Sequence, residues 1–228
     1  DDGKLGCVVE EINANGLIVL VEQGPEGGAR LKPEKGLNFP DADLGIAALT
    51  DKDRKDLHFI ARHADGVQYS FVQSADDVRQ LTDLLAQLRD DWENLALVLK
   101  IETIRAIDNL PEIIAQAASR QPTAIMIARG DLAVEIGFAR MAEMQEEILW
   151  LAEAAHIPVI WATQVLENLV KKGRPSRGEM TDAAMSARAE CVMLNKGPHL
   201  LEAIEVLDTL LHRMGQHQHK KTAQLRAL

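Results

Sequence analysis

Four polar clusters in the chain each follow directly on a short apolar run: Lys100-Ile101-Glu102, Arg129-Gly130-Asp131, Thr163-Gln164 and Asn195-Lys196. Glu102 and Asp131 are hard oxygen donors, and one or two carboxylates completed by water are the usual protein share of a Mg²⁺ or Mn²⁺ site. Lys100, ending an apolar run, would set a positive charge against a phosphoryl or enolate oxygen. Gly130 would let the backbone come close to a ligand, and a helical start after it would offer free N–H groups to a carboxylate. Taken singly, a Lys or Glu at such a place is usually half of a surface ion pair, and Arg-Gly-Asp recurs by chance. The chemistry therefore depends on the elements that would bring the clusters together.

The runs that precede the clusters are Leu95 to Lys100, Thr123 to Ala128, Ile157 to Ala162 and Glu190 to Asn195, with a fifth from Gly66 to Phe71. They are consecutive apolar residues rather than alternations, which is the pattern of parallel strands covered on both faces. Amphipathic helices separate them. Thr50 with Asp53 reads as a capping box ahead of Leu57, Ile60 and Ala61, and Ser74 with Asp77 opens a helix carrying Val78, Leu81, Leu85, Leu88 and Trp92. Further helices are predicted around Pro111 to Ala118, over Met141, Met144, Ile148, Leu151 and Ala155, near Asp182 to Arg188, and over Leu200, Ile204, Leu207, Leu211 and Met214. Successive β-α units mean an α/β fold, either a barrel or a doubly wound sheet. No Gly-rich phosphate loop follows any strand, so a partial (β/α)8 TIM-type barrel is the better expectation. Active sites of such barrels lie at the C-terminal ends of the strands, where all four clusters would fall.

Ahead of the β-α units, residues 5 to 31 alternate like strands around Asn13-Ala14-Asn15-Gly16, a hairpin turn in composition. The expected organisation is a small antiparallel β piece over 1–36, five barrel strands with their helices over 37–215, and a polar tail over 216–228. The opening Asp1 reads as the start of a processed chain or of a fragment. The formal net charge of −10 argues against nucleic acid and anionic membranes as partners, and an anionic substrate would need a metal or a locally positive pocket. No apolar run is long enough to span a bilayer and no leader is visible. Cys7 and Cys191 are expected to be two buried free thiols in a reducing cytoplasm, a single disulfide being the alternative. The basic stretch from Lys171 to Arg177 reads equally as a solvated face or as a phosphate attractor at the rim. His212, His217 and His219 in the polar tail are a poor metal set, and Met141 and Met144 are core at helical spacing.

The segments "LKIET", "AIMIARGDLAVEIG", "IPVIWATQVLENLVKKGRPSRGEMTDAA" and "AECVMLN" resemble, in order, the strand-end motifs of the pyruvate kinase family. "LKPEKGLNFPDADL" with "LTDKDRKDL" resembles that family's return from its inserted β domain into the barrel, so the first 36 residues would be the end of that insertion. The resemblance runs from about residue 1 to about residue 210 and rests on the joint order of the motifs. It implies phosphoryl transfer between phosphoenolpyruvate and ADP, giving pyruvate and ATP in glycolysis. Glu102 and Asp131 would hold the Mg²⁺ or Mn²⁺, Lys100 would stabilise the phosphoryl group in transit, and the backbone of Ala128, Arg129, Gly130 and Asp131 would bind the pyruvate carboxylate. Thr163 would sit near the face where the enolate is protonated. The family's K⁺ site, and its Arg and Asn for phosphate and nucleotide, would lie in a part preceding Asp1.

Where the family continues from "MLS" into "GETA", this chain reads "MLNKGPH" from Met193 to His199, without the family's Ser and Glu. That leaves the proton relay beside Thr163 without two of its members. Five barrel strands alone would leave two sheet edges, so the chain is expected to form a homo-oligomer or to pair with the missing N-terminal segment. Two other readings remain. Metal-dependent aldolases that stabilise a pyruvate enolate also resemble "KIET…GDLA" but lack the inserted β piece, and a non-catalytic relative would bind a metabolite or a partner subunit.

Overall fold

The structure is a computed structural model that describes residues 3–31, 33, 36–40, 42 and 44–215. It divides into two compact units, Asp1–Leu44 and Gly45–Leu228. The polar tail expected at 216–228, with His217 and His219, lies outside the described residues.

The first unit is built on one antiparallel hairpin, β1 (Gly6–Asn13) and β2 (Gly16–Gln23). Asn13 pairs with Gly16, so Ala14-Asn15 is a two-residue loop; the Asn13 side chain accepts the Asn15 N–H at 3.0 Å and Gly16 takes a φ of 139°. These are the turn residues the backbone geometry asks for. The strands' apolar residues, among them Val8, Val9, Ile12, Leu17, Ile18 and Val21, are exposed within this unit. Between Gly24 and Leu44 no helix or strand occurs among the described residues, and the expected boundary at residue 36 falls in this stretch.

The second unit alternates strands and helices. A capping box of Thr50 with Asp53 opens α1 (Asp51–His63), and a second, of Ser74 with Asp77, opens α2 (Ala75–Leu88), as the sequence led one to expect. The strands are β3 (Gly66–Tyr69), β4 (Ala96–Ile101), β5 (Thr123–Ala128), β6 (Val159–Ala162) and β7 (Cys191–Val192). They form one five-stranded parallel sheet in sequence order. The helices between them are α3 (Ile104–Asp108) and α4 (Leu110–Ala118), then α5 (Arg129–Ile136) and α6 (Phe138–Ala154), then α7 (Glu167–Lys172) and α8 (Arg177–Met185), with α9 (Leu200–Gly215) last. Leu57, Val78, Leu81, Leu85, Ile113, Ile148 and Leu207 point from the helices into one core with Leu97, Leu99, Ile101, Ile125, Ile127, Val159 and Trp161 of the strands. Each such aliphatic side chain, fully buried, contributes roughly 1.5–3 kcal/mol.

Two expectations need correction. Cover on both faces holds over most of β5, where Met126 and Ala128 are buried along with Ile125 and Ile127, but not in β4: Leu97, Leu99 and Ile101 are fully buried, whereas Ala96, Val98 and Lys100 alternate with them and are only partly covered. Among the described residues β3 and β7 each pair on one side only, so the described sheet is open. The cysteines are free but exposed, not buried. Cys7 stands on the hairpin of the first unit and Cys191 on β7, which pairs on one side only among the described residues.

The last strand is also shorter than the apolar run Glu190–Asn195 suggests. Its flanks still follow β6, through Glu190 N–H to Val159 O at 3.1 Å and Met193 N–H to Trp161 O at 2.9 Å. No helix among the described residues is long and apolar enough to cross a membrane.

Candidate active site

Side chains two residues apart on a strand share a face. Lys100 therefore projects with Val98 onto the half-covered face, and Glu102, one residue past β4, follows it. The register pairs Tyr69 with Leu99, which brings Ser70 level with Lys100. The result is a small network: Lys100 Nζ lies 2.7 Å from Glu102 Oε1 and donates to Ser70 Oγ at 2.9 Å, while Glu102 Oε2 accepts the Phe71 backbone N–H. Glu102 is 1% exposed, so this carboxylate is held away from water by one ammonium and one amide. Ser70 was not among the residues picked from the sequence. Its signal was the same as theirs, a polar residue ending an apolar strand, but the strand ends in Phe71 when read by hydrophobicity alone.

On the neighbouring strand, β5 runs straight into α5: Ala128 is the last strand residue and Arg129 the first helical one. Ala128 carries no side-chain acceptor, so no side-chain cap satisfies the first N–H groups of α5. Asp131 stands in that first turn, partly buried, with no side-chain partner among the described residues. Gly130 is helical, and a Cβ built on it would meet only Gln164 Nε2, at an ordinary 3.5 Å. Nothing in the described chain requires glycine there.

Arg129 behaves differently from its neighbours. Its guanidinium turns back over the Trp161 indole, 5.0 Å from the ring centroid, pairs with Asp182 of α8, and donates to the Thr163 carbonyl at 2.6 Å. Trp161 is fully buried on the helix-covered side, so the Arg129 side chain belongs to the structural layer, while its backbone opens α5. Neither Trp161 nor Asp182 stood out in the sequence, because an arginine's reach across a strand end depends on where the helix begins.

Thr163, partly buried, follows β6 directly, and the chain then turns through Gln164 (φ 60°) and Leu166 (φ 50°). Both are non-glycine residues in the left-handed region, where each costs of order 1–3 kcal/mol. Beyond them, Lys171 pairs with Glu167 and Lys172 donates to Asn168 at 2.9 Å, so these two members of the basic stretch are engaged on α7 itself. The divergent segment from Met193 to His199 packs on the same helix. Asn195 Nδ2 donates to Glu167 Oε2 at 2.6 Å, and the His199 N–H reaches Val170 O at 3.1 Å. A Cβ on Gly197 would come within 2.6 Å of Val170, so only glycine fits that contact.

Among the described residues no group of three or more His, Cys, Asp or Glu is arranged to hold a metal. A pair of carboxylates at adjacent strand ends, Glu102 and Asp131, is what remains, and its oxygen chemistry fits a hard divalent cation that keeps most of its water.

An open parallel sheet with a buried ion pair, an uncapped helix start and a left-handed turn at its C-terminal strand ends has its polar groups where α/β folds carry their sites. The family model "Pyruvate kinase, barrel domain" matches residues 1–198, and the chain belongs to the pyruvate kinase family. Relatives include "Pyruvate kinase PKLR" of Rattus norvegicus, 34% identical over 90% of this chain and 35% of its own length. "Pyruvate kinase" of Agrobacterium vitis is 34% identical over 96% of this chain and 44% of its own, and that of Methanocaldococcus jannaschii 31% identical over 95% and 47%. The chain thus spans between about a third and a half of the length of these relatives.

Proposed function

We propose that this chain supplies the metal and enolpyruvate half of a pyruvate-kinase-type active site, within a barrel that closes to eight strands in the whole protein or its assembly. The observation that carries the reading is the buried Glu102, paired to Lys100 at 2.7 Å, next to the uncapped start of α5. A carboxylate 1% exposed is costly to keep ionised without a built purpose. Glu102 and Asp131 would hold Mg²⁺ or Mn²⁺, which when bound neutralises charge building on the enolate and phosphoryl oxygens. The N–H groups from Arg129 to Asp131 would bind the substrate carboxylate at the positive end of α5.

Transfer then breaks the bond between phosphorus and the enol oxygen of phosphoenolpyruvate and forms one to a terminal oxygen of ADP. Lys100, released from Glu102, stabilises the migrating charge. The enolate left behind takes a proton at its methylene carbon, on the face near Thr163, and becomes pyruvate. K⁺ and the nucleotide contacts would come from outside this chain, and a cytoplasmic, glycolytic setting fits the reading.

The test is Mn²⁺ binding with and without oxalate, in this chain and in Asp131→Ala, together with phosphoryl transfer by the whole gene product. Oxalate-enhanced Mn²⁺ binding lost in the variant, with turnover in the whole product, is expected. Absence of Mn²⁺ binding would remove the metal half-site. Binding without turnover would instead favour a metabolite-binding relative, a second reading supported by the Met193–His199 segment being pinned to α7 without the family's Ser and Glu.

A further inference from the structure

We infer that Arg129 is a positioning residue, a clamp that holds the Thr163 turn against the start of α5, and that it does so with its side chain facing away from the substrate. The inference rests on the proposed role of Thr163 and deepens it.

Three elements meet at this guanidinium. Its own residue opens α5; its two terminal nitrogens reach Asp182 on α8 and the Thr163 carbonyl after β6; its face lies on Trp161 of β6. The Thr163 carbonyl needs such a donor, because the chain leaves the sheet there and turns through left-handed Gln164 and Leu166. A turn of that kind persists only where the surroundings over-determine it. The neighbouring residues do part of this: Val165 and Leu166 are fully buried, and the Val170 N–H returns to Leu166 O at 2.9 Å. Arg129 supplies the remaining link, the one that ties the turn to the strand end bearing Gly130 and Asp131.

The chemistry of the clamp requires arginine. A planar fork can pair with a carboxylate and a carbonyl while stacking on an indole, and a lysine ammonium cannot do all three. The stack on Trp161 adds a cation–π contact away from water, the side chain of Arg129 being 11% exposed. Beyond the sheet pairing of Ala128 with Ala162, the side-chain tie between the start of α5 and the Thr163 turn runs through this single group. Loss of the clamp should move the proton-transfer face relative to bound enolpyruvate without removing a ligand from either.

The experiment compares the whole gene product with Arg129→Lys and Arg129→Met, by steady-state kinetics, Mn²⁺–oxalate binding and amide hydrogen exchange. A misplacement of about an ångström costs on the order of 100-fold in rate, so kcat should fall by about that factor in Arg129→Met while KM for phosphoenolpyruvate and Mn²⁺ affinity stay within about threefold. Arg129→Lys should not restore kcat. Amides from Thr163 to Leu166 should exchange faster in both variants, and those of β4 should not. Unchanged kcat, rescue by lysine, or exchange rising throughout the sheet would each overturn the clamp. Should the unmodified protein transfer no phosphoryl group, the proposed function fails separately, and hydrogen exchange alone decides: unchanged protection at Thr163 to Leu166 in Arg129→Met overturns the clamp, local loss of it supports the clamp.

Discussion

Replacing Lys100 with methionine should strengthen metal binding and at the same time lower turnover by about 100-fold or more. The ammonium sits 2.7 Å from the Glu102 carboxylate, which is 1% exposed, while Lys100 itself is 22% exposed. Removing one partner of a buried pair typically costs about 3–5 kcal/mol. Here the Phe71 N–H remains on Glu102 and the lysine is partly wet, so about 2–3 kcal/mol is the better expectation for the metal-free protein. For a unit of this size that is a fall in Tm of roughly 4–12 °C.

A cation at Glu102 sees the same ammonium as a competitor. Two unit charges about 4 Å apart repel by about 4 kcal/mol at an effective dielectric of 20, and a divalent ion doubles this. Lysine can swing into solvent and recover most of it, but a residue of about 1.4 kcal/mol would still be a tenfold gain in affinity for Lys100→Met. Titration of Mn²⁺ by calorimetry or electron paramagnetic resonance gives the affinity, and Mn²⁺ should restore most of the lost Tm. Phosphoryl transfer should fall by about 100-fold or more, since the developing charge loses its ammonium. Equal or weaker Mn²⁺ binding in the variant would refute the assignment of Glu102 to the cation, whatever happened to turnover.

Gly130→Ala should leave the fold intact or raise its stability by about 1 kcal/mol, because the site is helical and roomy, yet weaken oxalate binding by about tenfold if the substrate carboxylate approaches there. Thermal melts and oxalate titrations separate the two effects. Gly197→Ala should destabilise by about 1–3 kcal/mol through the clash with Val170, measured by denaturant unfolding. Burial alone would raise the pKa of Glu179, but hydrogen bonds from Asn168 and Ser176 outweigh it and hold the carboxyl below its usual range. Its stabilising share is therefore fully present above the unfolded pKa, about 4.3, and lost as pH falls through the lower folded value. Glu179→Gln should flatten the acid limb of the stability curve in that window, as read by unfolding midpoints from pH 5 to 3.

The β-α alternation, the capping boxes at Thr50 and Ser74 and the hairpin turn at Asn13 to Gly16 were all readable, because each depends on residues close in sequence. So was the nearness of Lys100 and Glu102, which the two-residue repeat of a strand imposes. What could not be read depends on neighbours far along the chain. Whether Val98 is covered, whether Cys7 is buried and where the Arg129 side chain goes are decided by which second layer is present and by where one helix begins. The segment Met193 to His199 looked only like a departure; its packing on α7 through Gly197 needed the tertiary structure.

The order of the sheet also bears on how the molecule is made. Gly66 pairs with Ala96, Leu97 with Thr123, Ile125 with Val159 and Ile160 with Cys191, each pairing about thirty residues along the chain from its partner. Among these five strands none has to wait for one synthesised much later. On a ribosome each new β-α unit would emerge beside a finished edge and add to it, which keeps loop-closure entropy small and constant at every step. These five strands add like a row of tiles, each new one pairing with the one made just before it.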